Sequence, residues 1–387
     1  MSFVVRFSLL LIPALLLTVR PTLVRADAIE TAARQAIIVD YKTGAVLMEK
    51  NADEIMTPSS MSKLMTVYLV FSHLKDGSLK LTDELPVSET AWKKHYKSDE
   101  SMMFLPVHGM VKVDDLLRGV IIQSGNDACS VLAEGLAGSE EAFAEQETEV
   151  GKKIGLLHST FRNASGVPDP DHKMTARDLA VLARHLITDF PDYYPIFSEK
   201  TFTYNNIKQD NRNPLIWQNI AGADGLKTGH TEEAGYGLTG SVMRNGRRII
   251  IVLNGLPTLM SRAEESQRLI EWAFREYDDY DLYQAGEVLG QAPVTEGVVK
   301  TVPLAIDRSV TLTLPRTTHA DLKATVHVDE AVKAPVVKGT VFGSVTLAIP
   351  GRAETLYPLV AGADVARLGV FGRLSAKVHD MISGSGK

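Results

Sequence analysis

The first ordered pattern in the chain has the period of a β-hairpin. Ala36-Ile-Ile-Val-Asp40 and Ala45-Val-Leu-Met48 are short apolar runs separated by Tyr41-Lys-Thr-Gly44, which predicts two strands and a tight turn. From Pro58 the pattern changes. Ser60-Met-Ser-Lys-Leu-Met-Thr-Val-Tyr-Leu-Val-Phe71 has almost no polar face after Lys63, as expected of a helix buried all round. Helical spacing continues over 113–123, 126–137 and 140–156, and Thr175-Ala-Arg-Asp178 predicts a capping box opening a helix that reaches Ile187. The acidic run Glu140, Glu141, Glu145, Glu147, Glu149 reads as a solvated helix face.

Strand patterning returns over 236–243 and 248–254, joined by Arg244-Asn-Gly-Arg247, and 261–277 closes the region as an amphipathic helix. Two strands, many helices, two strands and a helix imply an α/β (α+β) domain. Its antiparallel sheet draws on both ends of the segment, with a helical cluster inserted. After about Tyr283 the texture becomes short alternating segments at 298–306, 310–314, 324–328, 341–349 and 355–359, the signature of a small all-β domain. Between Arg367 and Ile382, Leu368, Phe371, Leu374, Val378, Met381 and Ile382 recur at three- and four-residue steps, with Arg373, Lys377 and Asp380 opposite. That stripe predicts an amphipathic helix, which either packs on the β-domain or lies in a membrane interface.

The N-terminus changes the picture of where the protein works. Arg6 precedes the apolar segment Phe7–Val19, interrupted by Pro13, and Ala26-Asp27-Ala28 fits a small-x-small cleavage site. This reads as a secretory signal over 1–28, too short for a comfortable span. The expected organisation is a signal at 1–28, a catalytic domain at 29–283, a β-rich domain at 284–365 and a terminal helix at 366–387. Among 387 residues, 45% are hydrophobic and 23% charged, and the net charge is −6. There is no long basic run, so nucleic-acid binding has no support. The single cysteine, Cys129, cannot form an internal disulfide, and its apolar helical setting marks it as structural.

Candidate chemistry lies in three short elements in chain order: Ser60-Met-Ser-Lys63, Ser124-Gly-Asn126 and Lys227-Thr-Gly229. Ser60 and Lys63 at i and i+3 share a helix face, so the amine reaches the hydroxyl. Pro58 suits a helix start, whose N-terminus favours developing negative charge. Burial of Lys63 in the apolar helix would free it to act as a base. Each element alone is weak, since Ser72-His-Leu-Lys75 repeats the first and Lys42-Thr-Gly44 the last. Only the ordered set places a helix start, a loop and a strand start together. Histidines are scattered without paired-ligand spacing, which argues against a zinc peptidase.

These residues resemble the penicillin-recognising serine hydrolases, and among them the D-alanyl-D-alanine carboxypeptidases of the low-molecular-weight penicillin-binding proteins. Supporting runs are Thr57-Pro-Ser-Ser-Met-Ser-Lys63, Gln123-Ser-Gly-Asn-Asp-Ala128, Asn211-Arg-Asn-Pro-Leu-Ile-Trp217 and Asp224-Gly-Leu-Lys-Thr-Gly-His-Thr231. The resemblance implies that Ser60 is the nucleophile, Lys63 its base, and Ser124, hydrogen-bonded between Lys63 and Lys227, the proton donor to the departing amine. It further implies an oxyanion hole from the backbone N–H groups of Ser60 and His230. Asn126 would hold the substrate backbone, and Lys227, Thr228 and Arg212, beside Gly229, would grip a terminal carboxylate. No metal, nucleotide or other cofactor is implied. The implied partners are peptidoglycan stem peptides ending in D-Ala-D-Ala and β-lactams as covalent inhibitors, in the periplasm or on the outer face of the cytoplasmic membrane.

The sequence also departs from the family's usual pattern. Ser98-Asp-Glu-Ser101 stands before Met102-Met-Phe104 where relatives place glycines, Glu147-Thr148 replaces a Met-Asn pair, and Ser165-Gly166 replaces His-Gly. A β-lactamase would share the three elements, but no Glu-x-x-Leu-Asn stretch lies between Ser124 and Lys227. A non-catalytic wall-binding scaffold is the other reading, and intact Ser60, Lys63 and Lys227 weigh against it.

Overall fold

The computed structural model describes residues 29–329, 331–349 and 353–372. The signal segment and the helical stripe beyond residue 372 lie outside the described residues. In chain order the first part contains strands β1 (Gln35–Asp40) and β2 (Val46–Lys50), a 3₁₀ turn (Ser59–Ser62), helix α1 (Lys63–Asp76), strand β3 (Glu84–Pro86) and helix α2 (Glu89–His95). Strand β4 (Met110–Lys112) follows, then helices α3 (Val113–Arg118), α4 (Asn126–Ala137), α5 (Glu140–Lys153) and α6 (Ala176–Asp189). The hairpin β5 (Thr201–Tyr204) and β6 (Ile207–Asp210), helix α7 (Pro214–Trp217), strands β7 (Ala223–Thr231), β8 (Gly235–Arg244) and β9 (Arg247–Leu256), and helix α8 (Leu259–Glu276) complete it.

The central sheet runs β2-β1-β9-β8-β7, antiparallel throughout. Its order follows from the alternation in the sequence. Along β9, Ile250 and Val252 face the large helical core with Leu64, Phe71 and Leu182, while Ile249, Ile251 and Leu253 face α8 through Leu269, Ile270 and Ala273. A strand with apolar residues on both faces must be sandwiched, and each such fully buried side chain contributes about 1.5–3 kcal/mol. The expected two-residue turn at Asn245-Gly246 is present, both residues having positive φ (50° and 80°), as a tight hairpin between twisted strands requires.

Four local expectations needed correction. The strand carrying Lys227 does not start there, because Lys227 is the fifth residue of Ala223–Thr231. The helix expected over 113–123 is α-helical only to Arg118, then widens into a π turn over Gly119–Gln123 that ends at Ser124 in the left-handed region (φ 62°). That widening turns the chain so that α4 can start afresh at Asn126. The capping box at α6 is one-sided. Thr175 Oγ1 accepts from Asp178 N, but the Asp178 carboxylate turns away to accept from His158 N and Ser159 Oγ. The acidic run is not wholly solvated. Phe143, Ala144, Glu147 and Gly151 form the buried stripe of α5, and Glu147 has no exposed surface.

The second part is all β: β10 (Tyr277–Tyr283), β11 (Val288–Thr295), β12 (Thr301–Ile306), β13 (Val310–Pro315), β14 (Lys323–Val328), β15 (Val332–Lys333), β16 (Val341–Ala348) and β17 (Thr355–Ala361). Six of these form a sheet in the order β14-β16-β17-β12-β11-β15, and β10 pairs with β13. The turn holding Lys42-Thr43-Gly44 joins the two parts. Lys42 Nζ lies 2.7 Å from Asp281, and Thr43 Oγ1 lies 2.5 Å from Thr313 Oγ1. Beside it, buried Arg247 donates to Asp40 Oδ2 (3.0 Å) and the Tyr277 carbonyl (2.7 Å), with Asp279 Oδ1 at 3.4 Å. The second Lys-Thr-Gly is thus a structural joint. The second Ser-x-x-Lys is equally inert, with Ser72 Oγ donating to the Tyr68 carbonyl and Lys75 to the Asp189 carbonyl.

Candidate active site

The three sequence elements converge on one cleft of about 710 Å³. Ser60, Ser124, Asn126, Arg212, Thr228, Gly229 and His230 all line it. Ser60 lies in the 3₁₀ turn and Lys63 opens α1. Positions i and i+3 eclipse in a 3₁₀ turn, so Lys63 Nζ reaches Ser60 Oγ at 2.9 Å. The turn is pressed against β7, the edge strand of the sheet. A Cβ on Gly229 would stand 2.9 Å from the Pro58 carbonyl oxygen, so glycine is required for this approach. On the other side, Gly166 (φ 75°) leaves room for the Ser59 carbonyl, which a Cβ would overlap at 2.1 Å.

Lys63 is fully buried and its ammonium has three acceptors: Ser60 Oγ, Asn126 Oδ1 at 2.6 Å and the Ser165 carbonyl at 2.5 Å. An ammonium carries three hydrogens, so this cradle is saturated. Burial nevertheless pulls the Lys63 pKa down to about 8, against the opposing pull of nearby anions. In the neutral amine, hydrogens to Asn126 and Ser165 leave the lone pair facing Ser60. The Ser165 carbonyl is held in place by Asn163, whose Oδ1 accepts from the N–H groups of Ser165, Gly166 and Val167.

Saturation of Lys63 explains one departure from expectation. Among the described residues no hydrogen bond joins Ser124 Oγ to Lys63 or Lys227. Among these residues Lys227 Nζ donates to the Thr228 carbonyl, at 3.3 Å, and Lys227 is buried. Burial, with Lys63 and Arg212 nearby, holds its pKa well below the usual lysine range. An arriving anion would favour its charged form. Asn126 also does more than the sequence implied, since its amide bridges Lys63 and Glu100 Oε2 (2.8 Å).

Several residues that shape the site were not singled out from the sequence. Arg262, from α8, lines the cleft while only 5% exposed, and its guanidinium stands 5.7 Å above the Tyr236 ring. Desolvation lowers its pKa to about 10. No local motif marks it. His230 stacks on Tyr236 at 3.9 Å. One helical turn beyond Lys63, Thr66 Oγ1 meets both Glu147 Oε1 and the Ala164 carbonyl. Cys129 is buried with its thiol pushed up to about 12, as a structural cysteine should be. No group of three His, Cys, Asp or Glu side chains among the described residues is arranged to hold a metal.

Comparison with known proteins identifies the family of the chain. The family model described as D-alanyl-D-alanine carboxypeptidase matches residues 22–258. This chain belongs to that family. The model for the C-terminal domain of penicillin-binding protein 5 matches residues 277–367, so both parts of this carboxypeptidase have counterparts. The D-alanyl-D-alanine carboxypeptidase DacA of Haemophilus influenzae is 38% identical over 344 residues, covering 88% of this chain and 87% of the relative. The crystal structure of penicillin-binding protein 5 from H. influenzae superposes with a TM-score of 0.79 at 36% identity, covering 88% of this chain and 99% of that one. Penicillin-binding protein D2 from Listeria monocytogenes, in its ampicillin-bound form, matches with a TM-score of 0.55 at 30% identity, covering 64% and 98%. The chain is therefore a serine-type carboxypeptidase with the penicillin-binding-protein fold.

Proposed function

We propose that this enzyme removes the terminal D-alanine from peptidoglycan stem peptides ending in D-Ala-D-Ala, through an acyl-enzyme on Ser60. The observation that carries the assignment of the nucleophile is the 2.9 Å contact between Ser60 Oγ and a buried lysine whose pKa has fallen to about 8. Neutral Lys63 takes the Ser60 proton as Oγ attacks the carbonyl of the penultimate D-alanine. The peptide C–N bond then breaks: the leaving amine takes a proton from Ser124, which lines the same cleft, and the Lys63 ammonium passes its proton to Ser124, so both groups return to their starting forms. Water next attacks the ester as neutral Lys63 takes its proton, and that proton passes to Ser60 Oγ as the acyl bond breaks, releasing the shortened peptide acid.

The backbone N–H groups of Ser60 and His230 stabilise the oxyanion. The His230 assignment is supported by its place on the free edge of β7, facing the cleft. Arg212, Thr228 and Lys227 bind the terminal carboxylate, with Arg262 adding positive potential from the far wall. Asn126 contacts the substrate backbone as well as Lys63. β-Lactams, whose ring carbonyl mimics the scissile bond, acylate the same serine, a reading supported by the ampicillin-bound Listeria relative. The carboxypeptidase reading is favoured over a β-lactamase, because the matched relative bears that activity and the β-domain matches a penicillin-binding-protein module.

The enzyme acts outside the cytoplasm, after removal of residues 1–28, on the outer face of the cytoplasmic membrane or in the periplasm. No described helix is long and apolar enough to cross a membrane. Contact with the bilayer is instead peripheral, through the amphipathic stripe that begins at Leu368. Val370 and Phe371, at the start of that stripe, are 71% and 90% exposed.

Mass spectrometry after incubation with penicillin tests the nucleophile. One covalent adduct is expected, on Ser60, and Ser60→Ala should abolish it. An adduct on Ser72, or one that survives in Ser60→Ala, would sink the assignment.

A further inference from the structure

The segment Ser98-Asp-Glu-Ser101 places a carboxylate on the cleft wall. Glu100 is exposed on one side, but its Oε2 is shared by two buried side chains. Asn126 Nδ2 donates to it at 2.8 Å, and His95 Nδ1 lies 3.0 Å away. The other ring nitrogen of His95 is 2.9 Å from Ser130 Oγ, which in turn meets Glu140 Oε2 at 3.2 Å. Glu140 then binds Lys94 at 2.6 Å and, through Oε1, the Ala164 N–H at 3.3 Å, next to the carbonyl that holds Lys63.

A carboxylate only accepts hydrogen bonds. Asn126 must therefore turn its NH₂ to Glu100, and its oxygen has nowhere to point but toward Lys63. Without Glu100 the amide could rotate by half a turn and face Lys63 with N–H groups, repelling the ammonium and pulling the base from Ser60. We propose that Glu100, clamped by His95, is a positioning residue for acylation: it fixes the Asn126 amide and so holds Lys63 against Ser60. The inference rests on the acyl-enzyme reading above.

The same carboxylate has a second, opposing effect. Burial lowers the Lys63 pKa most, while Cys129, Glu100 and Asp127 raise it and Arg212 lowers it. Removing the anion therefore makes Lys63 easier to deprotonate while removing the orientation. This gives a split that loss of folded protein cannot mimic.

The test is the second-order rate constant for acylation by a fluorescent penicillin, from about pH 6 to about pH 10, with thermal unfolding followed in parallel. Glu100→Ala should lower the high-pH plateau roughly ten- to a hundredfold and shift the acid limb to lower pH. Glu100→Gln keeps an acceptor in the same place, so it should restore most of the plateau while keeping the shifted limb. Should Glu100→Ala not fold, Glu100→Met fills the space without an acceptor and carries the same expectation. A wild-type plateau in Glu100→Ala or Glu100→Met overturns the proposal. Absence of labelling in the wild-type enzyme would instead overturn the acyl-enzyme reading, so the two failures are distinct.

Discussion

Thr66 Oγ1 lies 2.7 Å from Glu147 Oε1 and 2.6 Å from the Ala164 carbonyl oxygen, one helical turn beyond Lys63. A hydroxyl has one hydrogen and a carbonyl can only accept. If Thr66 donates to Ala164, Glu147 must itself donate to Thr66, which requires a protonated carboxyl. Burial agrees, since it drives the Glu147 pKa well above 4.5 with neighbouring Glu140 adding to it.

The first prediction follows from that proton. A carboxyl whose folded pKa is raised stabilises the protein fully below its unfolded pKa. The contribution is lost as pH rises from about 4.5 toward the folded value. Glu147→Gln is nearly isosteric, neutral at every pH, and can donate to Thr66. It should raise the unfolding midpoint at neutral pH and flatten its decline with pH, leaving acylation near normal. A lower midpoint at neutral pH would mean that Glu147 is ionised in the fold.

A second prediction concerns Lys63. Its pKa near 8, set mainly by burial, means the neutral base is scarce at pH 6 and dominant at pH 10. Acylation should therefore rise about tenfold per pH unit below 8 and level off above it. Lys63→Arg should be inactive, because arginine holds its proton across that range. Near-normal acylation in this variant would remove Lys63 from the role of base.

A third prediction concerns the carboxylate pocket. Lys227 and Arg262 are both buried with lowered pKa values, and Arg212 stands at the cleft. Such cations gain most from an anionic partner. A D-Ala-D-Ala peptide with an amidated C-terminus loses a charged hydrogen bond of about 1.5–3 kcal/mol, or roughly 10- to 100-fold in kcat/KM. Equal turnover of the free acid and the amide would assign the pocket another purpose.

The hairpin, α4 and the ordered Ser60, Ser124 and Lys227 elements were legible because their signals are local: period, turn residues, and spacing on one helix face. Strand β7 was only half legible. It lines the cleft, so Lys227, Thr228 and His230 interrupt the alternation that marks an ordinary strand. The acidic neighbours of Glu147 mimic a solvated face, although the residue is buried. The i, i+4 and i+8 spacing of Phe143, Glu147 and Gly151 was nevertheless the signal that placed it inward. The Ser165 carbonyl and the Glu100–His95 contact had no sequence signal at all. One is a backbone atom, and the other joins a loop to the end of α2 only through the way both pack on α4.

The last prediction concerns the C-terminal stripe, and contacts to Glu296 decide where it should be cut. A truncation after Ala366 would remove Arg367, which pairs with Glu296, and Leu368, whose N–H donates to the Glu296 carbonyl at 2.8 Å. Those contacts belong to the β-domain, so their loss would confuse anchoring with folding. Truncation after Gly372 keeps both and removes Leu374, Val378, Met381 and Ile382 with the basic residues Arg373 and Lys377. If the stripe lies in a membrane interface, its apolar side gains from burial among acyl chains and its basic side from anionic headgroups. The shortened protein should then hydrolyse peptide at the full rate and unfold at the same temperature, yet fail to sediment with anionic vesicles. Adding salt should weaken binding of the full-length protein only in part, because screening removes the charge attraction and leaves the apolar contribution. Equal partitioning of the two forms would show that residues 373–387 do not anchor the enzyme.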